Sequence, residues 1–198
     1  MTLDRFYPIF DDPVWLERAL PLGVRLVQMR FKDQPEEVLV EQLARSRDLC
    51  RSAGAVMVVN DHWRAAIDLG CEWVHLGQED LDTADVPAIR RAGIRLGLST
   101  HDEAELERAL ACEPDYVALG PVWPTVLKKM KWHQQGLDRV AEWKARIGAL
   151  PLVAIGGLRP ERAAEAFGAG ADIVSMVTDI TLNEDPEARI GDWLKVTR

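Results

Sequence analysis

A chain of 198 residues, 47% hydrophobic and 28% charged, is the size and composition of one globular domain with a substantial core. Its net charge of −8 works against a nucleic-acid partner, and no apolar run approaches the roughly 18 residues of a membrane span. Three scattered cysteines, with no C-x-x-C or H-E-x-x-H motif, argue against a disulfide framework and against zinc. A cytoplasmic location is expected, since the first ten residues also lack the basic-then-apolar pattern of a secretory leader. Oligomeric state is left open, a homo-oligomer included.

In chain order, a short strand is expected over 5–9, interrupted by Pro8, then a helix over 13–20. A strand over 24–29 precedes a helix over 35–53, where Val38, Leu39, Leu43 and Leu49 recur at helical spacing and Gly54 ends the run. Strands follow over 56–60, 73–76, 95–98, 116–119, 152–155 and 173–177. Helices alternate with them over 62–69, 86–92, 102–111, 137–147, 160–168 and 186–194. The strands are continuous Val/Ile/Leu runs, as parallel strands covered by helices should be. Recurrence at about 25 residues, eight times over, predicts an α/β fold, a single-domain (β/α)8 TIM barrel spanning 1–198. In that fold all strand ends meet at one face. The stretch 121–135 is too long for a simple connection; with Lys128, Lys129, Lys131 and His133 between Trp123 and Trp132, it is expected to be a flap over an anionic ligand.

The strand ends carry the polar residues. Gln28, Arg30 and Lys32 share one face of "VQMRFK", opposite Val27, Met29 and Phe31. Two cations there need either neighbouring carboxylates or a phosphorylated ligand. Asp61 and Asp80 follow adjacent strands about 4.8 Å apart, where two carboxylates repel unless a divalent cation lies between them. Asp61 could instead cap the next helix and Asp80 could be a loop carboxylate; Asn60 would bond a neutral ligand group or orient a neighbour. The "AIGGL" turn offers Gly156 and Gly157 before a helix start, and Val177 and Thr178 end the next strand, where barrels commonly hold phosphate. His75 reads as a core histidine, His101 as preceding a helix, and Ser175 as a buried small residue. No Ser–His–Asp or Cys–His pattern occurs.

The ordered series Q-x-R-x-K, "VVND", "HLGQED", "LGLS", "GPVWPT" and "AIGG", from Gln28 to Thr178, resembles the thiamine-phosphate synthase family. The resemblance implies a transferase that joins a pyrimidine methyl diphosphate to a thiazole phosphate, often carboxylated, and releases pyrophosphate. It implies that Gln28, Arg30 and Lys32, with Asn60, hold the pyrimidine diphosphate, and that Asp61 and Asp80 hold Mg²⁺. It further implies that Ser99 contacts the pyrimidine and assists departure of the diphosphate, that Thr125 contacts the thiazole and Lys128 the diphosphate, and that Gly157, Val177 and Thr178 bind the thiazole phosphate. The implied catalytic set is Ser99, Lys128 and Arg30, with no general base. One departure stands out: the family's P-T-x-T-K reads "PTVLK" here, with Leu127 in place of a threonine. A thiazole tautomerase-like isomerase and a non-catalytic phosphate-binding barrel are the alternatives.

Overall fold

The computed structural model describes residues 3–124 and 134–198. Eight parallel strands close into a barrel in sequence order. They are β1 (Phe6–Phe10), β2 (Leu26–Met29), β3 (Val56–Asn60), β4 (Trp73–Leu76), β5 (Arg95–Thr100), β6 (Tyr116–Leu119), β7 (Leu152–Ile155) and β8 (Ile173–Met176). The longer covering helices are α2 (Glu36–Ser52), α6 (Glu103–Ala111), α7 (Gly136–Ile147), α8 (Pro160–Gly168) and α10 (Pro186–Thr197). Shorter ones are α1 (Val14–Ala19), α3 (Trp63–Asp68), α4 (Gln78–Leu81), α5 (Val86–Arg91) and α9 (Thr178–Thr181). No helix among the described residues is long and apolar enough to cross a membrane.

The two-residue alternation of each strand sorts its side chains into two cores. Val27, Met29, Val59, Val74, Leu96, Val117, Leu152 and Val174 point outward and are buried under the helices. Tyr7, Leu26, Val56, Val58, Trp73, Tyr116, Ala118, Val153 and Ile173 point inward and fill the lower barrel. Fully burying an apolar side chain of this kind is worth about 1.5–3 kcal/mol, so both layers hold the strands in register. One step higher on the inward face the residues turn polar: Gln28, Asn60, His75, Ser99 and Ser175. The barrel is therefore plugged below and open above.

Several elements differ from the sequence-based expectation. Strand β1 is continuous through Pro8, because its pairing with β2 starts only at Ile9, past the proline. Strand β5 runs on through Ser99 and Thr100, which pair with Ala118 and Leu119 of β6. Helices α4 and α9 were not expected: each has four residues, too few to show a helical period. Three helix starts carry a side-chain cap, with Asp85, Asp102 and Asp185 each accepting a backbone N–H from three residues on. Each such cap is worth about 1 kcal/mol.

Candidate functional site

The polar inward layer opens into a cavity of about 980 Å³ at the C-terminal ends of the strands. Its wall includes Gln28, Arg30, Lys32, Asn60, Ser99, Gly157, Val177 and Thr178. The geometry thus brings together residues that lie up to 150 positions apart. Arg30 and Lys32 form no direct salt bridge among the described residues, although the Arg30 charge acts on the Asp61 carboxyl. Arg30 follows β2 and is anchored through its backbone N–H, which donates to Phe10 O at 2.8 Å.

Asp61 and Asp80 lie beside this wall. Asp61 adopts a left-handed backbone (φ 64°), which aspartate tolerates better than most residues, and its N–H donates to His75 O at 2.9 Å. That bend turns the chain off β3, and Asn60 Nδ2 donates to Asp61 Oδ2 at 2.5 Å. Asp80 comes from α4, and Gly77 at that helix's start makes room for it: a Cβ there would sit 3.0 Å from Asp80 Oδ2. The two carboxyls lie close enough for the Asp80 charge to act on Asp61. Burial first, and then Asp80, hold the Asp61 carboxyl above the usual carboxylate range, while Arg30 and His62 pull the other way. Neither acid caps a helix: α3 starts at His62 without a side-chain cap, and α4 likewise has none.

Across the cavity, Gly156 (φ 96°) and Gly157 (φ 64°) follow β7. A Cβ on Gly156 would meet Pro121 Cβ at 2.6 Å, and one on Gly157 would meet Pro124 O at 2.5 Å. Glycine is required here for close contact with the 121–124 segment as well as for the turn. Leu158 and Arg159 bring the start of α8 to the cavity, and Arg162 lies over Trp123 and donates to Gly157 O. Arg159 and Arg162 were missed from sequence, although the "GGLRPER" string showed two arginines just beyond the glycines. After β8, Asp179 accepts from both Arg189 (2.9 Å) and Trp193 Nε1 (2.8 Å), which pins the segment carrying Val177 and Thr178.

The cavity floor was also missed from sequence. Gln28 Nε2 donates to Tyr7 Oη at 2.9 Å, Tyr7 and Tyr116 hydroxyls are 2.9 Å apart, His75 Nδ1 is 2.9 Å from Tyr116 Oη, and His75 Nε2 is 2.8 Å from Ser99 Oγ. Burial, helped by Arg30, lowers the His75 imidazole to about 4, and burial raises both phenols, so all three are neutral at pH 7. His75 is thus a satisfied interior histidine, but one that lines the cavity. His101, which precedes α6 as expected, bonds Glu105 and also lines it. Ser175 is buried as expected, yet the residue lines the cavity and its buried Oγ has no hydrogen-bond partner among the described residues. Thr125, Leu127 and Lys128, with the remaining lysines, Trp132 and His133 of the expected flap, lie outside the described residues.

Fold and cavity together define a (β/α)8 barrel with a cationic rim, a pair of adjoining acids and a glycine turn around one mouth. The family described as thiamine monophosphate synthase matches residues 7–180. A thiamine-phosphate synthase from Rhizobium etli is 59% identical over 197 residues, covering 100% of this chain and 97% of that one. One from Citrobacter koseri is 45% identical over 179 residues, covering 90% and 85%. A solved structure of thiamine phosphate pyrophosphorylase from Pyrococcus furiosus superposes with a TM-score of 0.86 at 24% identity, covering 98% and 95%, and bears on the fold alone. The chain belongs to the thiamine monophosphate synthase family.

Proposed function

We propose that this chain is a transferase that makes thiamine phosphate. It joins a 4-amino-2-methylpyrimidine carrying a methyl diphosphate to a thiazole phosphate, with or without a carboxylate, and releases pyrophosphate. The C–O bond to the diphosphate breaks, and a C–N bond to the thiazole nitrogen forms. The observation that carries this reading is one cavity lined by two cations on one side and by a glycine turn leading into a helix start on the other. Arg30 and Lys32, in no direct salt bridge among the described residues, stand on one side, and the Gly157–Arg159 turn with Val177 and Thr178 on the other. A two-phosphate substrate pair needs both.

Gln28, Arg30 and Lys32 hold the pyrimidine diphosphate, with Asn60 beside them, and Ser99 contacts the pyrimidine. Arg30, Lys32 and Lys128 stabilise the charge that develops on the departing diphosphate, at about 1.5–3 kcal/mol per charge-assisted hydrogen bond. Gly157, Val177 and Thr178 hold the thiazole phosphate, and Thr125 contacts the thiazole. Fixing both partners in one cavity makes capture of the pyrimidine methyl carbon effectively intramolecular. The buried walls limit the water that competes for it. The thiazole nitrogen needs no deprotonation, so no base is assigned.

The acid pair fits Mg²⁺. Two neighbouring carboxyls, one of them held above the usual carboxylate range by burial and by the other, are relieved by a divalent cation, and Mg²⁺ takes one or two carboxylates plus phosphate oxygens and water. No group of three or more His, Cys, Asp or Glu is poised for a metal among the described residues, so Asp61 and Asp80 would bind the ion together with the diphosphate. Bound there, Mg²⁺ supplies positive charge to the leaving group. The three free cysteines suit a reducing cytoplasm. The test is an omission assay: protein, Mg²⁺ and both substrates should give thiamine phosphate and pyrophosphate in equal amounts. Pyrophosphate or product formed without the thiazole phosphate, or no product with all components, refutes the assignment.

A further inference from the structure

The chain of bonds under the cavity has a direction. The Gln28 amide nitrogen can only donate, so Tyr7 Oη accepts from it. Tyr7 is fully buried, and among the described residues its other polar partner is Tyr116 Oη, so the Tyr7 proton goes there. Tyr116, equally buried, has then accepted one proton and has one acceptor left for its own, His75 Nδ1 at 2.9 Å. An imidazole that accepts at Nδ1 carries its proton on Nε2, which therefore donates to Ser99 Oγ at 2.8 Å. The hydrogen of Ser99 is left pointing away from the floor, towards the cavity. The opposite order would need a carbonyl oxygen of Gln28 facing Tyr7. A protonated imidazole would leave one phenol hydrogen with no acceptor in a buried site, at a cost of about 1–3 kcal/mol.

Two further features hold this chain in place. Gly97 leaves the space through which the Tyr116 side chain crosses the barrel: a Cβ at Gly97 would lie 2.0 Å from Tyr116 Cζ. Gln78 Nε2 donates to Ser99 O at 2.7 Å and fixes the backbone from which Ser99 projects. Both ends of the chain, Gln28 and Ser99, face the same cavity.

We propose that Tyr7, Tyr116 and His75 form a one-way hydrogen-bond relay that commits Ser99 to donate, so that the site selects a pyrimidine-side ligand offering an acceptor atom at Ser99. The proposal rests on the reading of Ser99 as a pyrimidine contact. Tyr7, Tyr116 and His75 are positioning residues: they set the orientation of one ligand-facing group, the Ser99 hydroxyl. No proton is transferred and no bond to substrate is made by the relay.

The direct test is ¹⁵N NMR of the histidine rings in the unaltered protein near pH 7. The expected signature for His75 is a protonated Nε2 and an unprotonated, hydrogen-bonded Nδ1. A protonated Nδ1 overturns the proposal. The second test is a double-mutant cycle on kcat/KM with the pyrimidine diphosphate. Tyr116→Phe and Ser99→Ala should each lower it about three- to tenfold, the loss of one hydrogen bond. The double variant should fall no further than Ser99→Ala alone. Multiplying losses would show that Tyr116 does not act through Ser99. If Tyr116→Phe fails to fold, the NMR result decides. If the protein makes no thiamine phosphate, the proposed function fails while the tautomer still tests the relay.

Discussion

Gly97→Ala should be among the most damaging single-methyl changes in this barrel. The added Cβ would lie 2.0, 2.4 and 2.5 Å from Cζ, Cε1 and Oη of Tyr116. Those atoms cannot swing aside as a flexible chain end would. The ring is fully buried, sits edge-on to Tyr7 at 6.1 Å and near-parallel to His75 at 5.6 Å, and its hydroxyl is bonded on both sides. Forcing a methyl into a packed core costs about 1–3 kcal/mol. Displacing the phenol leaves at least one buried partner unsatisfied, for about 1–3 kcal/mol more. A total of about 2–6 kcal/mol is a large fraction of the stability of a domain this size. It should appear as a lower urea midpoint with an unchanged m-value, followed by circular dichroism. Activity at a temperature where the variant is folded should also drop, because His75 and Ser99 lose their support. A midpoint within error of the parent protein would show that Tyr116 does not occupy the space beside Gly97, and would remove the packing argument with it.

Three further outcomes are expected. Arg30→Ala should lower kcat/KM for the pyrimidine diphosphate at least tenfold, since one charge-assisted bond is worth about 1.5–3 kcal/mol; steady-state kinetics with unchanged values would dismiss Arg30 as an anion contact. Asp80→Asn should raise the melting temperature of the metal-free protein by removing the charge that disfavours ionised Asp61, and should abolish both the Mg²⁺-induced rise in melting temperature and turnover. A variant that still gains as much from Mg²⁺ would place the ion elsewhere. Gly157→Ala, strained at φ 64° and 2.5 Å from Pro124 O, should raise KM for the thiazole phosphate more than for the pyrimidine diphosphate; equal effects on both would contradict a two-sided cavity.

The barrel was legible because its outward strand faces are apolar without interruption. Runs such as 56–60 and 116–119 have the same bounds in sequence and in structure. The approach of Asp61 and Asp80 was legible in part, since parallel order puts the ends of successive strands side by side, but Asp80 is delivered by α4 rather than by the end of β4. Helices α4 and α9 were not, being single turns fixed by tertiary surroundings. The Tyr7–Tyr116 contact was hidden for a different reason. The two residues are 109 positions apart and sit in runs whose alternation is masked by burial on both faces, so nothing local marks them as polar partners. Arg159 and Arg162 could have been found by asking which cations follow the glycine turn.

The glycine turn after β7 has a consequence for anyone who would rebuild this barrel. Val122 and Trp123 donate their N–H groups to Ile155 O and Gly156 O, and Pro121 and Pro124 occupy the space a side chain would need on the two glycines. The two neighbouring connections behave as one mechanical part, so a graft that replaces either with a segment from another barrel must carry the other across as well.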